Sequence, residues 1–253
     1  MHFEAVRDIV DGVPNMTPEQ GRVVYDLLVR LEAKHALELG FAHGTGSCYM
    51  GAALQETGGT LLCIDREEAR QRQPSLPEQV GRCGLEDVVR PLYSAHSYTW
   101  ELMRLIEQHT VDGRCEPFLD FCYIDGAHAW EPDGLAFFLV DKLLKVDGWI
   151  LFDDIYWRYS DSSVADADWV QALPRDEQET AQVMKIFELL VQQHPNYADC
   201  RIVDWWGWAR KVGEQSAPSS LLDELGVRQG ALGRAKQALR PAVHAVRRRL
   251  RGG

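Results

Sequence analysis

Residues 36–65, ALELGFAHGTGSCYMGAALQETGGTLLCID, constrain this chain more than any other stretch. A short apolar run ends at Glu38, and a turn bearing Gly40, Gly44 and Gly46 follows. Helix-compatible residues run over 47–55, Gly58 and Gly59 break them, and a second apolar run over 61–64 ends on Asp65. The order is strand, tight turn, helix, strand, with an acid closing each strand. In a parallel sheet both acids fall on the edge where the connecting loops form a crevice. Glycines there let the backbone approach a ligand, and a helix N-terminus offers unpaired N–H groups. A carboxylate ending the second strand can accept hydrogen bonds from the two hydroxyls of a ribose. The stretch reads as a site for an adenosine-containing cofactor, with another nucleotide or a purely structural turn as the alternatives.

A dinucleotide fingerprint requires glycines at GxGxxG spacing. Gly44 and Gly46 supply two of them, and Tyr49 stands at the third position. The spacing of Glu38, Gly40 and Gly44 instead resembles the first motif of class I S-adenosylmethionine-dependent methyltransferases, in the O-methyltransferase form E-x-G-x-x-x-G. Ala42 stands where the commonest form has glycine, so a small residue is kept there. The resemblance covers residues 14–213. It implies a doubly wound α/β fold, with a mostly parallel, seven-stranded Rossmann-like sheet whose last strand is antiparallel. It also implies S-adenosyl-L-methionine as cofactor, with Glu38, Gly40, Phe41, Gly44, Asp65, Ser94 and Asp125 as the binding residues.

The rest of the chain follows the same alternation. Ahead of the first strand, Thr17 and Gln20 have the spacing of a capping box, and Val23, Val24, Leu27, Leu28 and Leu31 recur at helical intervals. A third strand is expected over 88–92, with a loop at 93–97 and a helix over 98–109. A fourth strand, LDFCYI, ends on Asp125. A helix over 132–144, a turn at Asp147 and Gly148, and a fifth strand over 149–152 ending on Asp153 and Asp154 come next. Residues 155–179 form an irregular aromatic connection, longer than packing requires, which suits a cover on the substrate side. A helix over 180–193 and a terminal strand pair, 201–203 with 205–212, complete the domain. The segment Trp206 to Lys211 resembles the last strand of the O-methyltransferases.

Asp125, Asp153 and Asp154 close adjacent strands, whose spacing of about 4.8 Å brings their ends into one small volume. Converging carboxylates repel unless protonated, paired or neutralised by a cation, and oxygen ligands suit a hard ion such as Mg²⁺. The pattern is similar to the metal-dependent O-methyltransferases, which carry Asp after the fourth strand and Asp-Asp or Asp-Asn after the fifth. That resemblance implies a metal on Asp125, Asp153 and Asp154, holding a substrate hydroxyl in line with the methyl donor. Asp125 and His128 are the catalytic candidates, because a neutral imidazole on the same loop could take the hydroxyl proton. The phrase IDGAHAWE also resembles the Asp-Gly-x-His motif of sugar and natural-product methyltransferases. Trp130, Tyr156 and Trp157 suit the walls of a ring-binding pocket and equally suit core packing.

The expected activity is methyl transfer to a hydroxyl of a small molecule or glycan. Its rivals are a metal-independent O- or N-methyltransferase relying on His128, and a non-catalytic cofactor-binding scaffold. Composition bounds the setting. Six cysteines without a CxxC pair read as reduced thiols, and the N-terminus lacks the apolar run of a signal peptide, so a cytoplasmic protein is expected. The domain is expected to span residues 1–213, with a linker and basic tail over 214–253. From residue 226 onward there are eight Lys or Arg and no acid, which leaves 19 basic against 38 acidic residues in the remainder. An acidic body argues against nucleic acid as a partner. The tail has apolar residues at intervals of three or four, interrupted by Pro241, and could lie on an anionic membrane, on the body, or on a second copy.

Overall fold

A computed structural model describes residues 2–213 and 219–227. The expected basic tail lies outside these residues from position 228 onward, as do residues 214–218 of the linker. Seven strands form one sheet: β1 (His35–Leu39), β2 (Thr60–Arg66), β3 (Val89–Ser94), β4 (Leu119–Ile124), β5 (Leu144–Phe152), β6 (Tyr197–Val203) and β7 (Trp206–Lys211). Their spatial order is β3-β2-β1-β4-β5-β7-β6. β1 pairs in parallel with both β2 and β4, β2 with β3, and β4 with β5. β7 is antiparallel to β5 and to β6, so the last strand inserts between its predecessors instead of closing the edge.

The strand order reverses at β1 and β4, and it is at such a switch point that ligands sit in open α/β sheets. Period-two alternation divides the apolar residues between two cores. Ala36, Cys63, Phe121, Tyr123, Trp149 and Leu151 face one layer, containing α1 (Phe3–Val10), α2 (Pro18–Arg30) and α3 (Thr45–Thr57). Leu37, Ile64, Cys122, Ile124, Ile150 and Phe152 face the other layer. That second layer holds α5 (Tyr98–Gln108), α6 (Trp130–Leu143) and α7 (Gln182–Ile186), while α4 (Leu76–Arg82) packs beside α3. Burial on both faces explains why the strands read as near-continuous apolar runs.

Local chemistry sets the helix boundaries. Thr17 caps α2 as its spacing predicts: the Gln20 N–H donates to Thr17 Oγ1 at 3.2 Å, and the Thr17 N–H donates to Gln20 Oε1 at 2.9 Å. Tyr49, at the place of a third fingerprint glycine, is buried and stacks on Phe3 with ring centroids 5.0 Å apart. The small residue appears on the opposing helix instead: a Cβ on Gly21 of α2 would collide with the Tyr49 ring. Close approach is thus provided from the α2 side, and α3 needs no glycine there.

Three expected elements differ. β5 begins at Leu144, so Asp147 and Gly148 lie inside a strand at a bulge, with Asp147 at φ 67°. The helix expected over 180–193 is α7 followed by a π-helical turn, Phe187–Val191. The long connection carries short helical turns, Tyr159–Asp161, Asp168–Gln171 and Arg175–Glu179. A two-stranded ribbon, Thr110–Val111 with Arg114–Cys115, has no counterpart in the sequence reading. Among the described residues no helix is long and apolar enough to cross a membrane.

Candidate active site

The C-terminal ends of β1, β2, β4 and β5 open onto one cavity of about 510 Å³. Its lining includes Gly40, Ala42, Asp65, Asp125, His128, Asp153 and Asp154. Gly40 has φ 85°, and a Cβ there would collide with the backbone carbonyl of Asp125. Gly44 has φ 84° and caps the N-terminus of α3. Both positions therefore demand glycine, one for the contact between the β1 and β4 loops and one for the entry into the helix.

The acids of the first motif act beneath the glycine loop. Glu38 is buried, does not line the cavity, and accepts a hydrogen bond from Ser47 Oγ. Burial pushes its carboxyl up to about 8, against the hydrogen bonds from Ser47 and Cys63. Asp65 Oδ2 accepts the N–H groups of Phe41 at 3.0 Å and Ala42 at 2.9 Å, so this carboxylate fixes the loop as well as facing the cavity. Ala42 is itself left-handed, at φ 44°, and this bond pair offsets the strain of a non-glycine residue there. Phe41 is buried edge-on against Tyr93. Ser94 is buried, donates to the Ser97 carbonyl at 2.8 Å, and lines a neighbouring cleft beside α5 instead of this cavity.

The reactive cluster forms where the β4 and β5 loops meet. His128 Nε2 lies 3.2 Å from Asp125 Oδ1 and 3.4 Å from Asp154 Oδ2. One ligand atom from each of the three residues falls within 4.8 Å of the others, a donor set that fits a divalent cation. Burial disfavours the charged ring of His128, but the hydrogen bond to Asp125 and the charges of Asp125 and Asp154 outweigh it and push the ring up to about 9. Burial also raises Asp125, to about 7, despite the bond from His128. The hydrogen bond and charges of the two carboxylates thus favour the protonated ring, where the sequence suggested a neutral imidazole.

All three carboxylates, Asp125, Asp153 and Asp154, line this one cavity. Asp153 lines the cavity, yet its Oδ2 accepts from the buried Tyr123 hydroxyl and its Oδ1 accepts the Asp154 N–H at 2.7 Å. The tightest group of ligand atoms is that of Asp125, His128 and Asp154. On the other flank, Tyr98 and Asp133 hold the loop that carries His128. Periodicity did not single out Tyr98, Tyr123 or Asp133 as site residues, because a tyrosine at a helix start, one in an apolar strand and an acid in a first helical turn look like packing and helix capping. Trp157 packs against His128 at 5.1 Å between ring centroids. Trp205, 51% exposed, lines the cavity mouth with the exposed Tyr156 edge-on against it. Trp130 lies instead at a separate cleft beside the Arg175–Glu179 turn.

The family profile described as a methyltransferase domain matches residues 37–155. Among solved structures, an O-methyltransferase from Bacillus cereus in complex with SAH is similar at 18% identity and a TM-score of 0.58, covering 82% of this chain and 91% of that one. The O-methyltransferase TomG from Streptomyces achromogenes, involved in tomaymycin synthesis and in complex with SAM, is similar at 19% identity and a TM-score of 0.56, over 83% and 87% of the two chains. The SAH-bound methyltransferase PaMTH1 of Podospora anserina is similar at 16% identity and a TM-score of 0.55, over 83% and 87%. No curated protein matches the sequence.

Proposed function

We propose, from the premise that residues 37–155 form a methyltransferase domain of the class I fold, that this protein transfers a methyl group from S-adenosylmethionine to a hydroxyl of a small molecule or glycan. A divalent cation such as Mg²⁺ assists, held by the carboxylates of Asp125 and Asp154. The observation that carries this reading is the convergence of Asp125, His128 and Asp154 in the cavity that the glycine loop opens into.

The methyl donor supplies the electrophilic carbon, and a bound cation would lower the pKa of the acceptor hydroxyl and fix its place. The chain's own residues do the rest. Gly40 and Gly44 shape a loop that a bulky cofactor can approach, and Asp65 holds that loop through two N–H groups. A cation held by Asp125 and Asp154 alone would offset the charges that favour a protonated His128, and the imidazole, not bound to the ion, could then accept the hydroxyl proton. Trp205 and Tyr156 offer apolar surface at the mouth against which a ring could lie. Orientation of acceptor oxygen and methyl carbon is then the principal contribution to rate.

A second reading rests on one observation: His128 Nε2 lies within ion-pair distance of both carboxylates, 3.2 Å from Asp125 and 3.4 Å from Asp154. A metal-independent transferase would use this arrangement directly. Calorimetric titration with S-adenosylhomocysteine and then Mg²⁺, on wild type and Asp125→Asn/Asp154→Asn, separates the two. Cofactor binding to wild type with Mg²⁺ binding lost in the double variant supports the metal-assisted reading. Cofactor binding without Mg²⁺ binding in either protein favours the metal-independent one. No cofactor binding by wild type would refute both.

A further inference from the structure

We infer that two buried tyrosine–aspartate pairs, Tyr98 with Asp133 and Tyr123 with Asp153, are positioning residues that set His128 and Asp154 against Asp125. This assigns Asp153 a place beneath the cation site instead of on it, and it rests on the proposed function above.

His128 and Asp154 are both left-handed, at φ 54° and φ 50°. Non-glycine residues hold such conformations at a cost of roughly 1–3 kcal/mol each, and only where surrounding contacts fix them. At His128 those contacts come from one pair. The N–H before it, on Ala127, donates to the Tyr98 hydroxyl at 3.3 Å, and the N–H after it, on Ala129, donates to Asp133 Oδ2 at 3.2 Å. The Tyr98 hydroxyl in turn donates to Asp133 Oδ1. Tyr98 is 5% exposed and Asp133 1%, so water cannot stand in for either partner. A Cβ on Gly126 would collide with the Tyr98 ring, so the loop lies directly against it.

At Asp154 the second pair does the same work. Tyr123, on β4, points across to β5 and donates to Asp153 Oδ2, which leaves Oδ1 to accept the Asp154 N–H. The Asp153 N–H donates to the carbonyl of Ile124 at 3.0 Å, which ties the ends of the two strands together. Asp153 is thus tied to the ends of β4 and β5, and its neighbour Asp154 faces His128 at 3.4 Å. Each pair thus converts a buried hydroxyl and a buried carboxylate into one fixed backbone turn. Partners behind a metal centre of this kind typically change affinity by about 10–100-fold when removed.

The test uses the whole chain and Mn²⁺ as the probe, with affinities for Mn²⁺ and S-adenosylhomocysteine measured separately. Tyr98→Phe, Tyr123→Phe and Asp153→Ala are expected to lose about tenfold or more in Mn²⁺ affinity while cofactor affinity stays near that of wild type. Asp153→Asn is expected to stay within about threefold, because the amide oxygen can accept the Asp154 N–H while its NH₂ donates to the Tyr123 hydroxyl oxygen, whereas Asp154→Asn loses as much as Asp153→Ala. Wild-type Mn²⁺ affinity in both tyrosine variants would overturn the inference. So would an Asp153→Asn loss equal to that of Asp154→Asn, which would make Asp153 a ligand. If wild type binds no Mn²⁺, the metal-assisted reading falls, and amide exchange decides the positioning role. Faster exchange at Ala127 and Ala129 in Tyr98→Phe, and at Asp154 in Tyr123→Phe, supports it, and unchanged exchange overturns it.

Discussion

Replacing Asp125 by Asn in cation-free protein is expected to strip His128 of its proton at neutral pH. The site pushes this ring from its ordinary 6.5 to about 9. At about 1.36 kcal/mol per tenfold change, that rise corresponds to about 3 kcal/mol in favour of the charged form. Burial opposes the shift, and Asp125 overcomes it with a 3.2 Å hydrogen bond and its charge, ahead of Asp154. In Asp125→Asn, burial and the remaining Asp154 charge 3.4 Å away work against each other, so His128 is expected to titrate at or below about 6.5. The folded value lies above the unfolded one, so the charged ring contributes its full stabilisation below about 6.5, and that contribution is lost as pH rises through about 9. The assay is an NMR titration of the His128 ring in chelator-treated protein, assigned with His128→Gln. A wild-type ring titrating near 6.5, or an Asp125→Asn ring still near 9, would refute the electrostatic account of the site.

Three further outcomes follow from the same geometry. Gly40→Ala combines a positive φ with a collision against the Asp125 carbonyl, so chemical denaturation is expected to show a loss of about 2–3 kcal/mol together with weakened S-adenosylhomocysteine binding. Asp65→Ala leaves the Phe41 and Ala42 N–H groups without their acceptor, and calorimetry is expected to show cofactor affinity reduced by about tenfold or more; an unchanged affinity would mean that Asp65 fixes nothing the cofactor uses. Mn²⁺ affinity is expected to rise with pH between about 7 and 9, by up to about tenfold for each pH step of one, because the ion must displace the proton shared by His128 and its carboxylates. A pH-independent affinity would place the ion elsewhere.

The architecture and the neighbourhood of the site can be read along the chain. Apolar runs closed by acids, separated by glycine turns and helical periods, leave few ways to fold other than a parallel sheet between two helical layers. That logic located β1 through β4, the glycine loop, and the placement of Asp65, Asp125 and Asp154 on one edge, because each depends on local periodicity. It misjudged the start of β5, since a bulge with a left-handed Asp147 looks like a turn when read along the chain. What each acid does depends on the packed fold. Glu38, Asp65 and Asp153 occupy strand ends alike, yet one supports the loop from beneath, one binds the loop backbone, and one pairs with a tyrosine from the neighbouring strand. Those differences come from groups far apart in sequence: Tyr123 is thirty residues from Asp153, and Tyr98 is thirty-five from Asp133. A spacing rule sees which residues share an edge, but the protonation of His128 and the direction of each carboxylate are set by burial and by partners that only the packed sheet brings within reach.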